Sequence, residues 1–220
     1  MGFAVDRQWL DSLALHTQVV IKKSRLNWQH GRLLYATLRQ FLHTRAHEER
    51  GHSPATILET GMARGFSAVC MARAMIDAGC PGTVLTLDIL PHNTPLYWNC
   101  IDDLNGKKTR SELLSPWSEE LERIIFTQGW TKQQLLRTGL SRIHFAYLDA
   151  QHTLDDVLAE YVYVRDRQGP GDMIVFDDVT PGLFDGVVQA AGEIENQGLY
   201  RIARLKVSGQ RGYAVAVRAS

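Results

Sequence analysis

The feature that most constrains this chain is an alternation that begins at Ala55, where short apolar runs ending in acidic or glycine residues take turns with stretches of helical spacing. The runs are Thr56-Ile57-Leu58-Glu59, Thr83-Val84-Leu85-Thr86-Leu87-Asp88, Ile124-Ile125-Phe126, Ile143-His144-Phe145-Ala146-Tyr147-Leu148-Asp149 and Met173-Ile174-Val175-Phe176-Asp177. Runs of this length bounded by turn residues read as buried strands, and the intervening segments as helices. Strand and helix in alternation imply parallel strands, because a crossover helix must carry the chain back to the same edge. The pattern breaks at the end. Tyr200 to Val207 and Tyr213 to Val217 flank Ser208-Gly209-Gln210-Arg211-Gly212, which leaves no room for a crossover helix, so these two runs should form an antiparallel hairpin. The expected fold is α/β, a doubly wound, mostly parallel sheet of seven strands with a C-terminal antiparallel hairpin.

Ahead of the alternation, Trp9, Leu10, Leu13 and Val20, then Leu33, Leu34, Leu38, Phe41 and Leu42, recur at helical spacing and predict two amphipathic N-terminal helices. They would cover the chain's own sheet or pair two subunits into a homodimer. No repeat or compositional shift divides the chain, so residues 1–220 read as one domain: a helical cap over 1–54 and a core over 55–220 with an insertion over 91–122. Lys+Arg and Asp+Glu both number 24, and a formal charge of zero points away from nucleic acid and membrane surfaces toward a small-molecule partner. Cys70, Cys80 and Cys100 show no CxxC spacing and fit a reducing compartment. Asp6, Arg7 and Asp11 stand where a signal peptide would need an apolar run, so the expected location is cytoplasmic. His43, His47 and His52 do not make a zinc site, since His47-Glu48-Glu49-Arg50-Gly51-His52 has one residue too many for HExxH.

In open α/β sheets, ligands bind beyond the carboxyl ends of the strands, and here those ends hold Glu59, Asp88, Asp149, Asp177 and Asp178. The first run leads into Glu59-Thr60-Gly61-Met62-Ala63-Arg64-Gly65-Phe66-Ser67, whose glycines permit a tight turn and a close approach of cofactor to backbone at a helix N-terminus. Counted as GxGxxG from Gly61, the loop has Ala63 and Phe66 where the second and third glycines belong, which argues against a nicotinamide cofactor.

The arrangement acidic-x-Gly-x-x-x-Gly-x-Ser resembles motif I of the class I S-adenosylmethionine-dependent methyltransferases, which have a Rossmann-like fold. The resemblance implies S-adenosyl-L-methionine as cofactor, with Glu59, Gly61, Gly65 and Ser67 in its loop, Asp88 on the ribose hydroxyls, and Gln128 and Trp130 after the third strand near the adenine. Phe145-Ala146-Tyr147-Leu148-Asp149-Ala150-Gln151-His152 and Gly171-Asp172-Met173-Ile174-Val175-Phe176-Asp177-Asp178 are similar to the fourth and fifth strand motifs of the metal-assisted small-molecule O-methyltransferases of the catechol and sugar or macrolide types. By that resemblance Asp149, Asp177 and Asp178 bind a divalent ion, magnesium first among those suited to hard oxygen ligands. His152 then stands where catechol-type enzymes place a lysine and serves with Asp149 in catalysis, as base toward a hydroxylated small-molecule acceptor. Two departures leave the acceptor class open: Asp178 replaces the asparagine of the catechol type, and Gln151 an aspartate frequent in the sugar type. The 91–122 insertion, with Tyr97, Trp98, Trp117, Asp102 and Asp103, is expected to fold over the site as a lid. The competing readings are a metal-independent sugar or amine methyltransferase, an NAD-type oxidoreductase, and a non-catalytic cofactor-binding subunit.

Overall fold

Asp6 starts the first helix in the way its side chain allows, accepting a hydrogen bond from the Trp9 N–H at 2.8 Å and so satisfying a donor that the helix cannot. The computed structural model describes residues 2–18, 29–47, 53–206 and 211–220. Helix α1 (Arg7–Thr17) buries Leu10, Leu13 and Ala14, and α2 (Gln29–His47) buries Leu34, Leu38, Phe41 and Leu42. Both are the amphipathic helices expected from spacing. Val20, His52 and the hairpin residues Val207, Ser208, Gly209 and Gln210 lie outside the described residues.

Five parallel strands follow: β1 (Ala55–Thr60), β2 (Gly82–Asp88), β3 (Ile124–Gln128), β4 (Phe145–Leu148) and β5 (Met173–Phe176). With β6 (Tyr200–Leu205) and β7 (Tyr213–Arg218) they form the expected seven-stranded sheet, in the order β3-β2-β1-β4-β5-β7-β6. The hairpin is antiparallel, and β7 lies inside it against β5, pairing Val215 with both Val175 and Ala203. The helices α3 (Phe66–Asp77), α6 (Thr131–Arg137), α7 (Leu154–Arg165) and α8 (Asp185–Asn196) connect the strands.

Because successive strand side chains point to opposite faces, the sheet has two cores. Ile57, Val84, Phe145, Tyr147 and Val175 face α1, α2 and α3, with Phe41 and Phe145 ring centroids 6.1 Å apart. Leu58, Leu85, Ala146, Ile174 and Ala216 face the other side, against Leu135, Val157, Tyr161 and Ile194 of α6, α7 and α8. The apolar stripes of α1 and α2 are therefore buried against the chain's own sheet side, and a homodimer through these helices would have to use their outer faces. Strand β4 is shorter than its apolar run. His144 leaves the ladder pattern because its Nδ1 accepts the Thr56 N–H at 3.0 Å while its own N–H donates to the Thr56 carbonyl at 2.9 Å. Burial, with Arg45 and Arg142 adding to it, pushes this imidazole down to about 4, which keeps that nitrogen free to accept.

The 91–122 insertion is a folded cap with a small core of its own, in which Trp98, Cys100 and Leu113 are buried together. It holds a 3₁₀ turn over Ile101–Asn105 and two short helices, α4 (Arg110–Leu114) and α5 (Ser118–Leu121). Asp102 accepts from His16 Nδ1 at 2.5 Å and from Lys108 Nζ at 2.7 Å, fastening α1 to this segment. Among the described residues, no helix is long and apolar enough to cross a membrane.

Candidate active site

The loop after β1 is shaped by two left-handed glycines. Gly61 has φ +82, and a Cβ there would overlap the Asp149 carbonyl, so β1 and β4 can lie this close at their ends only because position 61 has no side chain. Gly65, φ +100, caps α3 without a side-chain bond, leaving backbone donors at that helix end facing the loop. Ala63 also has positive φ, at 47, and its N–H donates to Asp88 Oδ2 at 2.7 Å. The Leu90 N–H donates to Asp88 Oδ1 at 2.6 Å. Buried Arg110 lies behind, its Nη2 3.5 Å from Asp88 Oδ1 and its Nε donating to the Ala63 carbonyl at 2.9 Å. Asp88 thus reaches its orientation with lone pairs to spare, since each carboxylate oxygen can accept twice.

Glu59 is fully buried beneath this loop. Thr86 Oγ1 donates to its Oε2 at 2.6 Å, while Oε1 is buried with no hydrogen-bond donor. Burial pushes its carboxyl up to about 7 against the pull of the Ser67 and Thr86 hydroxyls. Such a group is poised to ionise when a cation arrives. Gly61, Asp88, Gly129, Trp130 and Gln151 line a cavity of about 80 Å³. Gln128 stands opposite Asp88 in register at the exposed edge of the sheet, and its backbone carbonyl accepts from Gln134 Nε2 at 3.1 Å.

At the ends of β4 and β5 the carboxylates converge. One donor atom each from Asp149, His152 and Asp178 lie within 4.8 Å of one another. His152 Nε2 is 3.0 Å from Asp178 Oδ2 and 4.0 Å from Asp149 Oδ1. Asp177 is held next to them by the buried Tyr147 hydroxyl, which donates to its Oδ2 at 2.6 Å, and by the Asp178 N–H, which donates to its Oδ1 at 2.7 Å. Burial raises the Asp149 carboxyl well above the usual carboxylate range, and the charges of Asp177 and Asp178 add to this. Asp178 is raised for the same first reason, with Arg211 and His152 opposing. Asp178 Oδ1 and His152 Nε2 are buried and lack a well-angled hydrogen bond. Converging carboxylate oxygens with an imidazole nitrogen beside them, held by ion pairs more than by hydrogen bonds, fit a divalent ion.

A larger cavity, of about 340 Å³, joins the two halves of the site. Gly61, Met62, Phe66 and Ser67 line it from the loop, Asp149, Asp177 and Arg211 from the strand ends, and Leu96, Tyr97, Trp98 and Asn99 from the insertion. The insertion does cover the site, though its aromatics divide: Trp98 and Trp117 are buried in packing and Tyr97 is exposed. Arg64 fastens this roof to the loop, donating through Nε to the Trp98 carbonyl at 2.6 Å, and through Nη1 to the Thr17 carbonyl at 2.8 Å. His30, at the start of α2, also lines the cavity, its ring 4.7 Å from that of Phe66. Burial depresses its pKa, keeping it neutral, with Asp177 pulling the other way and Arg211 adding to the depression.

Every strand-end acid singled out by sequence therefore lies at one rim. Sequence reasoning did not find His30, Arg64, Arg110, Tyr147 or Arg211. Of these, Arg64 and Tyr147 carried a signal, Arg64 lying within the loop after β1 and Tyr147 within the β4 motif two residues before Asp149.

The methyltransferase domain family matches residues 58–179 of this chain. Rhamnosyl O-methyltransferases of Mycobacterium bovis and Mycobacterium tuberculosis are 26% identical over 158 residues, which is 66% of this chain and 56% of theirs. The chain thus spans little more than half the length of these curated relatives. Among solved structures, the O-methyltransferase TomG from Streptomyces achromogenes, involved in tomaymycin synthesis and in complex with SAM, has a TM-score of 0.65 and 15% identity, covering 100% of this chain and 93% of that one. An O-methyltransferase from Bacillus cereus in complex with SAH has a TM-score of 0.65 and 16% identity, covering 97% of this chain and 92% of that one. At these identities the likeness to the solved structures is one of fold.

Proposed function

The chain belongs to the methyltransferase domain family, and from that premise we propose that it methylates a hydroxyl of a sugar-like small molecule, with S-adenosylmethionine as donor and a divalent ion, magnesium first, assisting. The observation that carries the reading is the shared cavity, which joins the motif I loop to the carboxylates of Asp149 and Asp177. A donor bound at the loop and an acceptor held at the carboxylates would meet inside it. The rhamnosyl relatives, together with the polar wall of Thr17, Gln18 and Asn99 beside Tyr97 and Trp98, favour a sugar hydroxyl.

Glu59 would face the positive charge of the donor, Asp88 the ribose hydroxyls, and Trp130 with Gln151 the base. The donor supplies a methyl group on a sulfonium, so the acceptor oxygen forms the new C–O bond as the C–S bond breaks and sulfur departs as a neutral thioether. Asp149, His152 and Asp178 would hold the ion, which when bound lowers the pKa of the acceptor hydroxyl. Tyr147 keeps Asp177 turned toward the same cavity. His152, tied to Asp178, is better placed as a ligand than as a free base. His30 lines the cavity and is kept neutral, so it takes the hydroxyl proton.

The test is calorimetric titration with S-adenosylhomocysteine, with and without magnesium, on the wild type, Asp88→Ala and Asp178→Ala, followed by methyl transfer to rhamnosides with and without chelator. Binding abolished in Asp88→Ala, with transfer lost in chelator and in Asp178→Ala, is the expected result. Absence of S-adenosylhomocysteine binding under all conditions would overturn the methyltransferase reading. Full transfer in excess chelator would remove the ion from it.

A further inference from the structure

Among the described residues, two cations line the main cavity, Arg64 and Arg211. Arg64 is committed to backbone carbonyls of the roof. Arg211 is committed to the carboxylate cluster. Its Nη1 lies 3.1 Å from Asp178 Oδ1 and 3.3 Å from Oδ2, and its guanidinium carbon sits 5.7 Å from the Phe184 ring centre. The Asp178 side chain is 2% exposed and that of Arg211 is 50% exposed. Burial works against the charged form of Arg211, and the charges of Asp178, Asp177 and Asp149 together outweigh it and raise its pKa.

Three neighbouring carboxylates in a buried setting need a positive charge, since bringing like charges out of water together is costly. Arg211 provides one, but loosely. A single nitrogen approaches both oxygens of Asp178, and the parallel two-nitrogen fork that makes an arginine–carboxylate pair rigid is not formed. The contact to Asp178 Oδ1 is close enough for an ion pair and yet leaves that buried oxygen without a well-angled hydrogen bond. The guanidinium comes from the approach to β7, which, being antiparallel, starts beside the carboxyl end of β5, and half of its side chain is open to solvent. It can leave Asp178 without uncovering core.

We propose that Arg211 is the resident counter-cation of the Asp149–Asp177–Asp178 cluster and competes with the divalent ion for Asp178, so that displacing Arg211 sets how tightly the ion binds. This rests on the metal reading above. An ion arriving at the cluster meets a site whose negative charge is already partly answered, and Asp178 must exchange one cation for the other. Removing the guanidinium should therefore tighten the ion, whereas an Arg211 that merely buttressed the site would weaken the ion on removal.

The experiment is a Mn²⁺ titration followed by electron paramagnetic resonance, at fixed pH and ionic strength and with no methyl donor present. The proteins are the wild type, Arg211→Gln, Arg211→Lys, Asp178→Asn and the Arg211→Gln/Asp178→Asn double variant, with circular dichroism to show that each is folded. Arg211→Gln should bind Mn²⁺ at least about tenfold more tightly than the wild type, as loss of a unit charge a few ångströms from the ion requires. Arg211→Lys should stay nearer the wild type, and in the Asp178→Asn background the Arg211→Gln gain should shrink by most of its size. A wild type that binds Mn²⁺ with Arg211→Gln no tighter overturns the proposal while leaving the metal reading in place. No Mn²⁺ binding by any folded variant overturns both, and the S-adenosylhomocysteine titration then judges the cofactor reading by itself.

Discussion

Replacing Glu59 by glutamine should make the protein more stable in mildly alkaline solution and weaker at holding its cofactor. The carboxyl is fully buried and burial pushes it up from 4.5 to about 7. In the unfolded chain it titrates near its ordinary value, so between these two values the folded protein holds the proton more firmly. By linkage, stability from this group is complete below about pH 4.5, falls as pH rises toward 7, and levels off above. With 1.36 kcal/mol per unit, the loss between pH 5 and pH 8 comes to about 2.5 kcal/mol. The glutamine side chain does not titrate, and its amide carbonyl can still accept from Thr86, so the variant should lack this loss. The assay is urea denaturation of both proteins at pH 5 and pH 8. The stability difference, variant minus wild type, should rise by about 2.5 kcal/mol between them. Parallel pH curves would refute the reasoning, because they would mean that Glu59 is ionised at no cost in the fold. The same cost explains how the group could serve a cation: S-adenosylmethionine binding near pH 7, with no acceptor present, should release a fraction of a proton in the wild type and none in Glu59→Gln. Calorimetry in two buffers of different ionisation enthalpy reads that difference directly.

Arg110→Ala should cost about 1–3 kcal/mol of unfolding free energy, because it removes the cation beside Asp88 and the bond to the Ala63 carbonyl while the Ala63 and Leu90 N–H donors still hold the carboxylate; denaturant midpoints at matched slopes check this. Gly61→Ala should destabilise by more than about 1 kcal/mol and abolish S-adenosylhomocysteine binding, given positive φ and the neighbouring Asp149 carbonyl. His30→Gln should lower kcat for rhamnoside methylation while leaving S-adenosylhomocysteine affinity within about twofold, and should remove an acid limb of the pH profile lying below the ordinary imidazole value of 6.5. An unchanged profile would take the proton away from His30.

Residues at strand ends were legible because a parallel strand delivers its last side chain to a defined edge. Glu59, Asp88, Asp149, Asp177 and Asp178 follow from run length and alternation alone. Residues delivered by packing were not. His30 reaches the cavity because α2 lies on α3, with Gly31 against the Phe66 ring, and no periodicity announces which turn of a helix will look inward at a ligand. Arg110 opens a five-residue helix whose position depends on the Trp98 core. Arg211 comes from the approach to an antiparallel strand, and sequence shows a hairpin there without showing that β7, rather than β6, joins β5. The short β4 records a similar limit, since a histidine that replaces a ladder partner reads in sequence like any other residue of an apolar run.

Among the described residues, the hydrogen bonds of Arg64 run to main-chain oxygens, those of Thr17, Trp98 and Asn99. A fastening that recognises only carbonyls is indifferent to the side chains hung on either segment. The Arg64 attachment therefore survives changes to the side chains at 98 and 99, whereas the attachment through Arg110 to Ala63 and Asp88 depends on its guanidinium. Such a chain could change the molecules it admits while the donor's side of the chamber stays as it was.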